Sequence, residues 1–525
     1  MNIKQLTNKT YFLITIFTVA AIVRFNHINQ PFVDVFSWRQ ASTAMMADNF
    51  YRINWNIFYP EVSWGGIGPN YQGREFQTVS YIAALLYRLV GQQDWVGRSV
   101  AVVFGLWGIF ALYQLVRRVW DEKRAIAAAM VMAILPGSIF IERSFLPDPA
   151  MVALVTTSLW LLVVYLQTER WHFLFWAGAI GMWGFLSKIT GLIIGIPMLY
   201  ATATILYRQR MLYPRKLITI GVGGVLMLTP VIAYYLWARH LSLSYPPYHF
   251  AGSGNWLWSD GLNKWLSQKY FLPQLVDNFT YWLWTWPTII LVGLGLFCRP
   301  PGTLDNQEDL PRLETQTQAP WLFHWWFVAS LIYYVIGAKE LVHNPWNFQI
   351  MNPVAAALAG HGLVSITSVQ TRVVRWIPFV IAGTFILIIG LLGHTNLKAM
   401  YSRPYGEESY HLGLRLRHYS QPGELVVTMA SDLGDPNALY YSQRRGWTFP
   451  PASNEIDWSK FPEDDSDSIR MFESLQKMGA DWLGVANERK KDFWVDHPRL
   501  VKYIQNNCRF VEKNKYGVIY QIVNQ

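Results

Sequence analysis

Charge is scarce in this chain: 15% of its 525 residues are Asp, Glu, Lys or Arg, whereas 52% are hydrophobic. That balance excludes an ordinary soluble domain and makes the bilayer the solvent for most of the protein. Cysteine is rarer still, with Cys298 and Cys508 alone. The topology read below sets them on opposite sides of the membrane, which excludes a disulfide between them. Internal repeats, low-complexity tracts and a glycine-rich phosphate loop are missing, so nothing points to a nucleotide-sugar substrate. The formal charge of +10 comes from Lys and Arg in short clusters between apolar runs. Nucleic acid would need one basic patch with interleaved aromatics, and a nucleic-acid partner is not expected.

What is present is a series of apolar runs long enough to cross a bilayer, near residues 8–25, 96–116, 125–141, 149–167, 173–187, 190–206, 217–236, 279–298, 321–337, 347–366 and 376–393. The first lacks a small-residue cleavage site and reads as a retained helix. Lys and Arg gather in alternate loops: Arg117, Arg118, Lys123 and Arg124, then Arg170, then Arg208 to Lys216, then Arg299 and Arg312, then Arg372 and Arg375. The excess of basic residues on the cytoplasmic side then predicts a cytoplasmic N-terminus, an odd number of spans and an external C-terminus.

Two outer regions exceed the length of connectors. Residues 26–95 form a large first loop, in which Val79–Val90 has the apolar spacing of a helix lying along the membrane surface. Residues 237–278 are rich in Trp, Tyr and Pro. From 394 to 525 the composition becomes that of a soluble domain, with strands expected at Glu424–Ala430, Asp481–Ala486 and Tyr516–Val523 and a helix at Ser466–Met478. The acidic run Glu463–Asp467 reads as a solvated loop. The fold class is thus mainly α, a polytopic helical membrane protein of about eleven spans (residues 1–393) with a C-terminal α/β domain (394–525).

Ionisable residues collect near the outer helix ends: Asp34, Arg39, Arg74, Glu75, Glu142, Arg143, Asp148, Lys188, Lys339 and His343. A transferase that takes a sugar from a polyprenyl phosphate needs cations for the phosphate and a carboxylate to deprotonate the acceptor hydroxyl. Bland readings compete at each position. Asp34 and Asp148 can be helix caps. Lys188 can snorkel to the interface, and Arg74 can simply meet headgroups. Trp256, Trp258, Trp265, Trp282, Trp284 and Trp286 read as an interfacial belt.

The order of one helix, a long outer loop opening with FVDVFSWRQ (Phe32–Gln40), the stretch GREFQTVSYIAALLYRLVG and the later LSKITGLIIGIP segment resembles the GT-C glycosyltransferases. More narrowly it is similar to the protein O-mannosyltransferase and aminoarabinose transferase group. The resemblance implies an Asp after the first helix as catalytic base, matched here by Asp34. The family's acidic pair is replaced by Asp34 alone with Arg39 five positions on, so Asp48 is the alternative. It further implies Asp148 as a second outer-loop acid, Lys188 in GFLSKITG as a contact to donor phosphate, Arg74 as another, and Glu75 with His343 as substrate contacts. A divalent metal on Glu75 and His343 is possible, but no histidine pair stands at ligand spacing, and hydrogen bonding by His343 is the preferred role. The implied activity is transfer of a sugar from a polyprenyl-phosphate donor to a hydroxyl of an extracytoplasmic acceptor, whether glycan, lipid or protein, at the plasma (inner) membrane. The alternative is a transporter or flippase of lipid-linked saccharides, which should show broken helices in symmetric halves.

Overall fold

The structure, a computed structural model, describes residues 3–211, 213–249, 271–303, 318–341, 344–369, 376–402, 405–430, 434–452 and 461–523. Apolar runs become helices because a bilayer offers backbone amides no partner outside the segment itself. In chain order the helices are α1 (Ile3–Phe25), the more polar α2 (Ser37–Arg52), α3 (Thr78–Val90), α4 (Asp94–Val119), α5 (Glu122–Ile134), α6 (Pro136–Arg143), α7 (Asp148–Thr168), α8 (Trp171–Ser187), α9 (Gly195–Arg208) and α10 (Pro214–Ser244). There follow α11 (Phe271–Asp277), α12 (Trp286–Phe297), α13 (Leu322–Leu341), α14 (Asn352–Thr367) and α15 (Ile377–Ser402). Among the described residues, six helices are long and apolar enough to cross a membrane, or eight if each of two bent pairs is one span.

The chain divides into two compact units. One comprises Met1–Ile28, Arg98–Tyr234 and Gly252–Ala399; the other comprises Asn29–Gly97, Tyr235–Ala251 and Met400–Gln525. Residues of the first outer loop therefore group with those of the C-terminal region.

In the first unit, α5 and α6 meet at 63° where Pro136 follows Leu135. A proline cannot continue the hydrogen-bond ladder, so the break leaves carbonyls of the preceding turn without amide partners. Arg24 of α1, fully buried, supplies them: Nη2 donates to Met132 O at 3.1 Å and Nη1 to Ala133 O at 3.0 Å. Its Nε donates to Glu142 Oε2 at 2.7 Å. Glu142 Oε1 accepts from Gln349, Gln349 Oε1 accepts from Asn352, and Asn352 Oδ1 accepts from Trp284 Nε1 at 2.9 Å. A buried charge is tolerated only when paired and hydrogen-bonded, and this chain of bonds meets both needs. Gly105 of α4 makes room for it, since a Cβ there would lie 2.7 Å from the Glu142 side chain. The expectation of a headgroup-facing Glu142 and a belt-forming Trp284 is corrected accordingly: both are buried in the bundle. Arg143 is buried as well, and its Nη2 donates to His27 O at 3.0 Å just past the end of α1.

The second unit contains α2, α3 and the C-terminal sheet. Here α3 packs Tyr81 against Phe50 and Tyr87 against Tyr51, while Leu85, Leu89 and Val90 stay exposed. An apolar face left outward in this way suits a helix lying on a membrane surface. After α16 (Glu407–Tyr419) come β1 (Leu425–Met429), α17 (Asn437–Ser442), β2 (Gly446–Thr448), α18 (Asp465–Lys477), β3 (Ala480–Ala486), α19 (Asn487–Asp496), α20 (Pro498–Asn507), β4 (Cys508–Lys513) and β5 (Gly517–Ile522). The sheet order is β2-β1-β3-β5-β4, parallel among the first three and antiparallel thereafter. Val427, Met429, Phe472, Leu483, Leu500 and Tyr520 form its core. The acidic run is not a solvated loop. Asp464 caps α18 by accepting from Ser466 N, and buried Asp465 accepts from His497 at 2.7 Å and from Arg499 N at 2.8 Å.

Candidate functional site

Polar residues buried beside one another in a largely apolar chain mark where chemistry can be held, because each one costs desolvation unless it is used. Helix α2 is the clearest case: thirteen of its residues are buried, and they include Ser37, Arg39, Gln40, Ser42, Thr43, Asp48 and Asn49. Asp34 precedes it and is fully buried. Its Oδ1 accepts from Gln40 Nε2 at 2.6 Å and from Phe36 N at 3.4 Å. The first turn of α2 carries no side-chain cap, so the carboxylate of Asp34 does not serve as the helix cap. Its own backbone carbonyl instead accepts from Ser37 N at 2.9 Å.

Three further candidates stand around α2. Arg39 Nη2 pairs with Glu75 Oε1, both nearly buried. Arg74, 4% exposed, directs Nη1 to Ser42 Oγ at 3.3 Å. Ser42 in turn donates to Gln72, and the Gln72 amide lies 3.2 Å from Nδ1 of His249. Burial, then the nearby Arg39 charge, push the His249 imidazole down to about 4, against a smaller upward pull from Glu75. With His249 neutral, Arg39 and Arg74 outweigh Glu75 by one positive charge. Two buried donors, Arg39 Nη1 and Arg74 Nε, have no acceptor among the described residues. Buried guanidinium N–H groups are rarely left so, and an anion is the partner that a planar fork fits.

His249 was not singled out by sequence, where it failed the spacing expected of a ligand pair. It carries a pH dependence. Unfolded, it titrates near ~6.5; folded, only near 4. Between those values the unfolded chain binds a proton that the folded chain refuses, so acidification through this window lowers stability. The melting temperature is expected to fall as pH drops from 6.5 towards 4.5, and His249→Gln is expected to flatten part of that fall. Identical slopes for both proteins would contradict the assignment.

Asp48, the alternative base, lines a cavity of about 150 Å³ with Asn49, Arg52 and Tyr440. Burial pushes its carboxyl well above the usual carboxylate range; Arg52 opposes the shift and Asp94 adds to it. Gln92 donates to its Oδ2. Burial thus disfavours the ionised form of Asp48 that a general base needs, whereas Asp34 is placed as an acceptor.

In the other unit, Lys188 sits at the break after α8, with its ammonium buried rather than turned out to the interface. Nζ donates to Asp148 Oδ1 at 2.6 Å and to Asn347 Oδ1 at 2.7 Å. Asp148 opens α7 without capping it. Two residues expected to act separately are thus one ion pair. Asn347 belongs to a buried turn at Pro345–Met351 that sequence reading passed over for its neighbour His343; His343 lies outside the described residues, as do Trp256, Trp258 and Trp265. A metal finds no group of three or more His, Cys, Asp and Glu among the described residues, and one oxygen of Glu75 is already engaged by Arg39.

Residues 78–237 match the family described as dolichyl-phosphate-mannose-protein mannosyltransferase. No curated protein matches the chain by sequence. In structure it is similar to ArnT from Cupriavidus metallidurans bound to undecaprenyl phosphate, with a TM-score of 0.64 and 12% identity over 98% of each chain. It is also similar to the Archaeoglobus fulgidus oligosaccharyltransferase in the apo form, with a TM-score of 0.56 and 12% identity over 98% of this chain and 74% of that one. The complex of that transferase with Zn and sulfate gives a TM-score of 0.51 at 13% identity, over 97% of this chain and 73% of that one.

Proposed function

The chain has the GT-C glycosyltransferase fold, and from that premise we propose that it transfers a sugar from a polyprenyl-phosphate donor to a hydroxyl of an extracytoplasmic acceptor at the plasma (inner) membrane. The N-terminus is cytoplasmic in this reading and the C-terminal domain extracytoplasmic. The observation that carries it is the pair of buried guanidinium donors on Arg39 and Arg74 without an acceptor among the described residues, which fit the oxygens of a phosphate ester. One protein of the same fold is bound to undecaprenyl phosphate.

In the reaction, the acceptor oxygen attacks the anomeric carbon and the bond from that carbon to the phosphate oxygen breaks. The hydroxyl proton passes to Asp34, which Gln40 and the Phe36 amide hold in place. The lipid phosphate leaves as an anion whose growing charge Arg39 and Arg74 offset. Glu75 fixes the direction of the Arg39 guanidinium. One direct displacement inverts the anomeric centre.

Broken helices would also suit a transporter. At the α5–α6 break, however, Met132 O and Ala133 O accept from Arg24, so those carbonyls are spent on the protein itself. The test of the transferase reading is titration of undecaprenyl phosphate into the purified protein in detergent, followed by native mass spectrometry. Arg74→Ala is expected to weaken binding about tenfold to a hundredfold, the worth of a charged hydrogen bond. Equal affinity in the variant would remove the phosphate from this site.

A further inference from the structure

The second unit holds a larger cavity than the one at Asp48, of about 510 Å³, between the start of α4 and helices α16 and α17. Its volume falls in the ~300–1,000 Å³ range of small-molecule sites. None of the residues assigned to transfer lines it. Its chemistry is specific. Asp94 supplies one carboxylate and exposed Arg417 one cation, so the lining carries no net charge. Amides of Asn29, Gln92, Gln93 and Gln443 also line it.

Aromatic rings supply the rest. Trp95 presents an indole that is 36% exposed, and Tyr410 stands edge-on to Tyr441 at 4.6 Å. The hydroxyls of Tyr440 and Tyr441 each donate to one oxygen of Asp94, both at 2.7 Å. With those protons committed, neither phenol has a hydrogen left to give, and this wall can only accept. A ligand that fits must bring several hydroxyl donors, accept from amides, offer an apolar C–H face to flat rings and carry no charge. A phosphate or carboxylate would meet Asp94 directly.

We infer that this cavity binds a neutral pyranose unit of a saccharide, at a position distinct from the residues that perform transfer. The acceptor is the source that the chain path favours. Tyr441 accepts from Phe32 N at 2.7 Å, and Phe32, whose ring packs on Tyr440, stands two residues before Asp34. Two residues of chain span at most ~7 Å, so a glycan seated here lies a short reach from the base. That attribution to the acceptor rests on the transferase reading; the saccharide site itself does not.

The test is saturation-transfer NMR on the full chain in nanodiscs with neutral probes: methyl α-mannoside, methyl β-glucoside, methyl β-galactoside, mannobiose and lactose. At least one probe is expected to bind. Trp95→Ala is expected to weaken it tenfold or more, Gln93→Ala to weaken it measurably, and Asp34→Asn to leave it unchanged. Titration of undecaprenyl phosphate into the Trp95→Ala protein, with unaltered affinity expected, shows that the variant is folded. The inference is overturned if no probe binds, if binding survives Trp95→Ala, or if Asp34→Asn abolishes it. In the unmodified protein, no probe binding with lipid-phosphate binding present sinks this site alone, and no lipid-phosphate binding sinks the transferase reading instead.

Discussion

Asparagine in place of Asp34 is expected to lower turnover by about 10²- to 10⁴-fold, the usual worth of a positioned general base. The substitution is nearly isosteric, and the Asn carbonyl oxygen can still accept from Gln40 and the Phe36 amide that now bond to Oδ1. Folding and affinity for undecaprenyl phosphate should therefore be retained, which separates lost chemistry from lost structure. A steady-state assay with a polyprenyl-phosphate sugar and a thermal melt, run on the same preparation, read both. Asp48→Asn is the companion control. If Asp48 were the base, it rather than Asp34 would show the large loss.

Lys188→Met is expected to cost much of the stability of the membrane-spanning unit. Lys188 and Asp148 form a buried pair with side-chain exposures of 10% and 1%. Removing the ammonium leaves a carboxylate in the membrane unit with its charge uncompensated, a change that costs about 3–5 kcal/mol. The doubly substituted Lys188→Met, Asp148→Leu protein should recover most of that loss, because an apolar pair can replace a buried ion pair at little cost. Thermal melts of the unmodified, singly and doubly substituted proteins read the difference; a double variant no more stable than Lys188→Met would contradict the buried pair.

Much of this architecture is legible in the sequence because membrane and strand patterns are strong. Apolar runs give α4 and α7 close to their observed ends, those for α1, α10 and α15 fall short at one end, and the expected strands at 424–430, 481–486 and 516–523 overlay β1, β3 and β5. Two strands escape notice. β2 is three residues long, and β4, an edge strand, carries Arg509, Glu512 and Lys513 among its six residues and reads as loop. Among the candidate residues, the sequence names Asp34, Arg39, Arg74 and Glu75 in one unit and Asp148 and Lys188 in the other as single charges, with no pairing between them. Their pairing depends on contacts between residues far apart in the chain, 36 positions for Arg39 with Glu75 and 40 for Lys188 with Asp148. Arg24 is missed for a related reason: at the end of an apolar run it reads as the start of a loop, while its true partner is a helix break more than a hundred residues away. The unusual polarity of α2 was the available signal, since a helix of low hydropathy in such a chain has to be buried for a purpose.

The most direct measurement is mass spectrometry of lipids from cells that lack this chain. A polyprenyl-phosphate sugar is expected to accumulate, to be cleared when the unmodified chain is restored, and to persist when the Asp34→Asn chain is restored instead. A lipid profile unchanged by loss of the chain, or one cleared equally well by the Asp34→Asn protein, would contradict sugar transfer from a lipid phosphate with Asp34 as its base.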